Sequence, residues 1–136
     1  MFTHSTTPNA IAIPHILQQI PQAPQKLYCK GDLRTDIPLV AVVGSRKSTA
    51  YGQQVTEKIV RGLVQSGVGI VSGLALGTDS WAHKMCLAQK GYTVAVLASG
   101  VDYVTPRSHR QLAEDILTRG GAIISEYNDN SMSAIT

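Results

Sequence analysis

Leu39-Val40-Ala41-Val42-Val43-Gly44-Ser45-Arg46-Lys47-Ser48-Thr49-Ala50-Tyr51-Gly52 is an unbroken apolar run that stops at a Gly-Ser-Arg turn and passes into a helix-like segment. A run without polar alternation reads as a strand buried on both faces, the mark of a parallel sheet. The turn offers backbone N–H groups and a guanidinium at the strand's end, an arrangement suited to an anion. This stretch predicts a strand over 40–44 and a helix over about 50–66, and it points to phosphate, hence to nucleotides or nucleic acid.

Outward from that stretch the same alternation repeats. Apolar runs at 69–72, 93–98 and 122–125 read as strands, with helices over about 79–90 and 108–118 between them. Short apolar runs alternating with helical stretches are β-α-β units, so the expected fold is α/β, with a doubly wound, mainly parallel sheet covered by helices on both faces. In the first helix Val55, Ile59, Leu63 and Val64 make a core-facing stripe opposite Glu57, Lys58, Arg61 and Gln65. Gly67 is its expected C-cap, Asp79 and Ser108 are expected N-caps of the next two helices, and Gly91 and Gly120-Gly121 follow their ends. Residues 1–38 differ in texture, holding five of the six prolines. They read as an extended lead-in with one helical turn at 16–20 and a short strand at 26–30 ending at Gly31-Asp32, ahead of a main domain over 39–136.

The 136 residues, 43% of them hydrophobic, suffice for one domain with a core, and a formal charge of +3 permits an anionic partner without requiring one. The distribution says more. No acidic residue lies between Asp36 and Glu57, a window holding Arg46 and Lys47, nor between Asp79 and Asp102, a window holding Lys84 and Lys90. Cys29 and Cys86 are far apart, with no metal-ligand spacing around them, which favours reduced thiols and a cytoplasmic protein. The first residues lack the pattern of a signal peptide, and no apolar run approaches the roughly 20 residues that span a bilayer, so no membrane partner is expected.

Ligands of open α/β sheets bind at the carboxyl ends of the strands. Here those ends read Gly44-Ser45-Arg46, Ser72-Gly73-Leu74-Ala75-Leu76-Gly77-Thr78-Asp79, Ala98-Ser99-Gly100-Val101-Asp102 and Ser125-Glu126-Tyr127. Small residues at successive ends describe a shallow, backbone-lined pocket with room for phosphates. There is neither a Gly-x-Gly-x-x-Gly fingerprint nor a P-loop, so redox and ATPase chemistry lack their usual warrant and no cofactor is expected. Asp79 and His83 stand four apart, as an acid/base pair or half a metal site would, although a helix cap beside a packed histidine is the commoner meaning. His4, His15 and His109 have no partner at a meaningful spacing, and Ser45 and Ser99 have no nearby base, so no catalytic residue is assigned. Trp81 and Met85, one helical turn apart, read as core; Tyr51, Tyr103 and Tyr127 lie near strand ends, where bases could stack.

From Leu27 to Tyr127 these blocks resemble the DNA-processing protein A (DprA/Smf) family. The matching runs are Leu27-Tyr28-Cys29-Lys30-Gly31-Asp32, Val42 to Gly52, Ile70 to Asp79 with Ala82-His83, Val94 to Asp102 with Pro106, and Ile124 to Tyr127. The resemblance implies a Rossmann-like domain that binds single-stranded DNA without catalysis and helps deliver it to a RecA-type recombinase during natural transformation, and it implies a homodimer. By position it places Arg46 and Arg107 on DNA phosphate, with Lys47 beside Arg46, and Gly44, Ser45, Ser72, Gly73, Gly77, Ser99 and Gly100 lining the same pocket. Leu76 stands where the family usually has a basic residue, Thr78 replaces a common Ile, and Thr105 and His109 replace Tyr and Asn around Pro106. The chain stops at Thr136, before the family's Phe-Pro-x-Arg-Asn-Arg segment and the region of the usual dimer, so the expectation is a shortened relative. The other class consistent with the fold is a small-nucleotide binder or nucleotide-processing enzyme like the phosphoribohydrolases, whose Pro-Gly-Gly-x-Gly-Thr loop does not occur here.

Overall fold

The computed structural model describes residues 9–101, 104 and 106–127. His4, Tyr103, Thr105 and the 128–136 end of the expected main domain lie outside the described residues. Six strands form one sheet in the order β1-β2-β6-β5-β4-β3. They are β1 (Asn9–Ile11), β2 (Leu27–Gly31), β3 (Leu39–Ala41), β4 (Gly69–Ser72), β5 (Thr93–Leu97) and β6 (Ala122–Ser125). Among the described residues four α-helices accompany them: α1 (His15–Gln18), α2 (Ala50–Gln65), α3 (Thr78–Ala88) and α4 (Arg110–Thr118). Neighbouring strands from β3 to β6 run parallel, while β2 lies antiparallel to β6 and β1 antiparallel to β2.

Each crossover from β3 to β6 steps one strand along the sheet in the same direction. Right-handed connections then put α2, α3 and α4 side by side on one face, and α2 does pack on α3 and α3 on α4. Ile70, Ala95 and Ile123 face these helices, with Val60, Ala82, Cys86, Leu112, Ile116 and Leu117 closing the core from the helix side. The alternate residues Val94, Ala122 and Ile124 point to the other face, where Leu27 and Cys29 of β2 join them and Leu17 of α1 and Ile11 cover part of the surface. The proline-rich lead-in thus supplies two strands and a helix to the same sheet. Tyr92 fastens it further along: its hydroxyl donates to the Asp32 carbonyl and accepts from Arg34 N at 2.8 Å.

Several local expectations are corrected. The apolar run at 40–44 is not buried on both faces, because β3 is the end strand of the described sheet and pairs only with β4. Val40 is 39% exposed and Val43 68% exposed. Of the expected stripe of α2, Leu63 and Val64 do pack against the core, but Ile59 is exposed, and Thr56 and Val60 take the buried positions in the middle of the helix. Thr56 can do this because its hydroxyl donates to Gly52 O at 2.8 Å, so no polar group is left unsatisfied. Asp79 and Ser108 do not cap helices. Helix α3 begins at Thr78 behind Gly77, and α4 follows a 3₁₀ turn, Arg107–His109, with no side-chain cap at either start.

Cys29 and Cys86 are free and buried. Burial pushes their thiols up to about 11 and about 12, the charge of Asp32 adding to the rise at Cys29. Among the described residues no helix is long and apolar enough to cross a membrane.

Candidate functional site

The turn after β3 is held by its own polar groups. Ser45 Oγ accepts from Lys47 N at 3.0 Å, and Thr49 Oγ1 caps α2 by accepting from Gly52 N at 3.0 Å. These bonds close the chain around Gly44, Ser45, Arg46 and Lys47, all four of which are exposed. The turn also docks on the loop between β4 and α3, where Thr78 N donates to Ser45 O at 3.1 Å. Gly77 permits this approach. Its φ of 77° and ψ of −130° are open only to glycine, and a Cβ there would meet Ser45 O at 2.3 Å and Arg46 O at 2.6 Å.

The β4–α3 loop is itself pinned from inside. The Asp79 carboxylate, buried in the first turn of α3, accepts from Gly73 N at 3.0 Å, and its charge sits favourably at the helix N-terminus. Ser80 N donates to Ala75 O at 3.1 Å and Ser80 Oγ to Gly77 O at 2.9 Å. From the far side the 3₁₀ turn carrying Arg107 reaches the same loop, as the ring of His109 bonds to Leu74 O at 2.7 Å. The ends of β5 and β6 are tied to each other: Ser125 Oγ donates to Ser99 O and accepts from Tyr127 N at 3.0 Å, and Val101 N donates to Tyr127 O at 3.3 Å.

The residues expected to line one pocket therefore divide into two groups. Gly44, Ser45, Arg46, Lys47 and Arg107 stand on the surface. Ser72, Ser99 and Gly100 are buried and Gly73 and Gly77 half-buried, so they shape the loops from beneath. The Ser72 hydroxyl, for instance, is committed to Val42 O at 2.6 Å. Among the described residues Arg46, Lys47 and Arg107 carry no ion pair, whereas Arg34 is matched by Asp36 at 2.9 Å and Arg61 by Glu57 at 2.6 Å. Cations in this position, held on hydrogen-bonded turns, suit phosphate oxygens.

Asp79 and His83 make neither an acid/base pair nor half a metal site, since each has a separate partner. Thr93 Oγ1 gives its only proton to Ile70 O at 2.8 Å, so it must accept from His83 Nδ1, also at 2.8 Å. That fixes the tautomer and leaves His83 Nε2 without a partner among the described residues, in a side chain 0% exposed. Burial pushes the His83 pKa down to about 4; the nearby His109 acts in the same direction and the Ser72 backbone against it. No group of three or more His, Cys, Asp and Glu side chains among the described residues is placed to hold a metal ion. Sequence reasoning passed over His109, whose partner is a backbone carbonyl 35 residues earlier and leaves no trace in residue type.

The family described as DNA recombination-mediator protein A matches residues 4–134. The chain belongs to that family. Within it, the Smf protein of Synechocystis sp. is 44% identical over 126 residues, which is 89% of this chain and 31% of the relative. The crystal structure of DNA processing protein A from Streptococcus pneumoniae superposes with a TM-score of 0.85 at 34% identity, covering 96% of this chain and 47% of that one. DNA processing protein A from Helicobacter pylori, described for its unique single-stranded DNA binding mode, superposes with a TM-score of 0.82 at 32% identity, covering 98% of this chain and 60% of that one. The α/β fold of the chain is that of its solved relatives. The chain spans about a third of the length of the Synechocystis relative.

Proposed function

We propose that this chain is a non-enzymatic single-stranded DNA-binding member of its family, whose phosphates lie across the strand ends on Arg46, Lys47 and Arg107. The observation that carries this reading is the set of exposed cations that have no ion pair among the described residues, on loops docked to a single neighbour, the β4–α3 loop. A guanidinium fork suits phosphate oxygens and reads no base, so affinity is largely independent of sequence. Exposed Tyr127 and Tyr51 flank the strand ends and are available for stacking on bases. The Helicobacter relative's single-stranded DNA binding mode supports the same reading. Delivery of DNA to a RecA-type recombinase during natural transformation, homodimer formation and a cytoplasmic location complete the proposal for the protein as a whole.

The test is a fluorescence titration of a short labelled oligothymidylate at several salt concentrations, with a mononucleotide as competitor. Binding is expected to weaken with salt at a log–log slope of about −2, since each cation on single-stranded phosphate contributes about −0.7. The mononucleotide is expected to compete poorly. Equal competition by the mononucleotide, or a slope near zero, would overturn the reading in favour of a small-nucleotide site.

A further inference from the structure

We infer that His109 is a positioning residue for Arg107, holding it at a set place relative to Arg46 on the DNA-binding surface; the inference rests on the single-stranded DNA reading above. His109 is 7% exposed, and its ring lies 2.7 Å, through Nδ1, from Leu74 O. A carbonyl only accepts, so Nδ1 carries the hydrogen and donates it. The acceptor is well anchored. Leu74 is fully buried with a φ of 61° and packs in the core cluster with Leu112, Ala113 and Ile116 of α4. On the donor side His109 N closes the 3₁₀ turn on Pro106 O at 2.9 Å, and Arg107 is the first residue of that turn.

Both arginines are therefore referred to one short stretch of backbone. Thr78 N holds the Ser45-Arg46 turn at one end of the β4–α3 loop, and Leu74 O holds the Arg107 turn at the other. Two cations whose separation is set in advance lose less freedom on binding a polyanion than two on independent loops. Pro106 alone does not supply this, because it constrains the chain entering the turn and not the turn's position on its neighbour. Asparagine would serve as well: its amide Nδ2 stands as many bonds from Cβ as the imidazole Nδ1 does.

The experiment is a double-mutant cycle on oligothymidylate affinity, with melting temperatures measured alongside. His109→Leu is expected to weaken binding about fivefold, the worth of about one hydrogen bond. His109→Asn should restore wild-type affinity to within about twofold, and His109→Leu should have no further effect in an Arg107→Ala background. If His109→Leu does not fold, His109→Gln, which keeps a polar group but carries its donor one bond too far, is expected to weaken binding as described for Leu. Wild-type affinity in the Leu or Gln variant, failure of Asn to rescue, or full additivity with Arg107→Ala would each overturn the positioning role. An Arg107→Ala variant that binds as the wild type does contradicts the DNA site itself and takes this inference with it. Weakening by Arg107→Ala without weakening by His109→Leu leaves the site standing and removes only His109.

Discussion

Gly77→Ala is expected to lower the melting temperature by about 10 °C and to weaken single-stranded DNA binding by about tenfold or more. Two costs combine. The backbone at φ 77°, ψ −130° is closed to L-residues, and the added Cβ would fall 2.3 Å from Ser45 O and 2.6 Å from Arg46 O, both of them backbone atoms with no rotamer to yield. Together they amount to about 3 kcal/mol or more, which for a domain of this size corresponds to the stated shift. Relief comes only if the Ser45-Arg46 turn moves off Gly77, breaking the Thr78 N bond to Ser45 O, so affinity falls with stability. Gly62→Ala is the matched control. Gly62 lies inside α2 with nothing within 4 Å of an added Cβ, so alanine there is expected to leave binding unchanged and to stabilise by up to about 1 kcal/mol. Thermal melts and oligonucleotide titrations of both variants check the pair of outcomes.

The second large effect is a loss of stability in acid that runs through His83. Its pKa is 6.5 in an unfolded reference and about 4 in the folded protein, where burial disfavours the charged form. Between those values the unfolded chain binds the proton and the folded chain does not. Stability therefore rises with pH across this window, is fully present above about 6.5, and is lost as pH falls towards 4. The loss attributable to His83 is about 3 kcal/mol. His83→Gln, which cannot titrate, is expected to remove that part of the pH dependence. Urea unfolding of wild type and variant at pH 7, 5.5 and 4.5 reads it directly: the two curves of stability against pH should diverge by about 2 kcal/mol between pH 7 and 4.5. Parallel curves would show that His83 gains a proton as easily folded as unfolded.

Much of the architecture was legible because helix and strand periods are local. The bounds of α2, β4, β5 and β6 fall within about a residue of the expected ones. What was not legible depends on pairings between distant residues. The run at 39–43 looks like a central strand because its side chains are all apolar, yet sheet order, which composition does not encode, puts β3 at the end of the described sheet. In α2 the C-terminal part of the stripe, Leu63 and Val64, was legible, while Ile59 was misassigned because Thr56 hides its hydroxyl on Gly52 O and so occupies a core position that an apolar template assigns elsewhere. Asp79 looked like a cap because aspartate favours helix starts; glycine at 77 lets the helix begin earlier and turns that carboxylate onto Gly73 N.

The site divides in the same way. The turn from Gly44 to Lys47 could be picked out as small and cationic residues at a strand end, where an anion is expected, whereas Arg107 was named only through the family resemblance. The roles of Ser72, Ser99 and Gly73 could not, because a small polar residue at a strand end reads the same whether its polar group faces a ligand or a neighbouring backbone atom. Ser72 is turned inward to Val42 O, and Gly73 N to Asp79.

On the proposed reading, Arg46 and Arg107, from loops well separated in sequence but docked on one neighbour, hold the same strand of DNA. Salt-dependent titration of labelled oligothymidylate with wild type, Arg46→Ala, Arg107→Ala and the double variant tests it most directly. The account predicts that each single change weakens binding by about tenfold or more and makes the salt slope shallower by about 0.7, with the double variant losing both contributions. Unchanged affinity and slope in Arg46→Ala at low salt would contradict it.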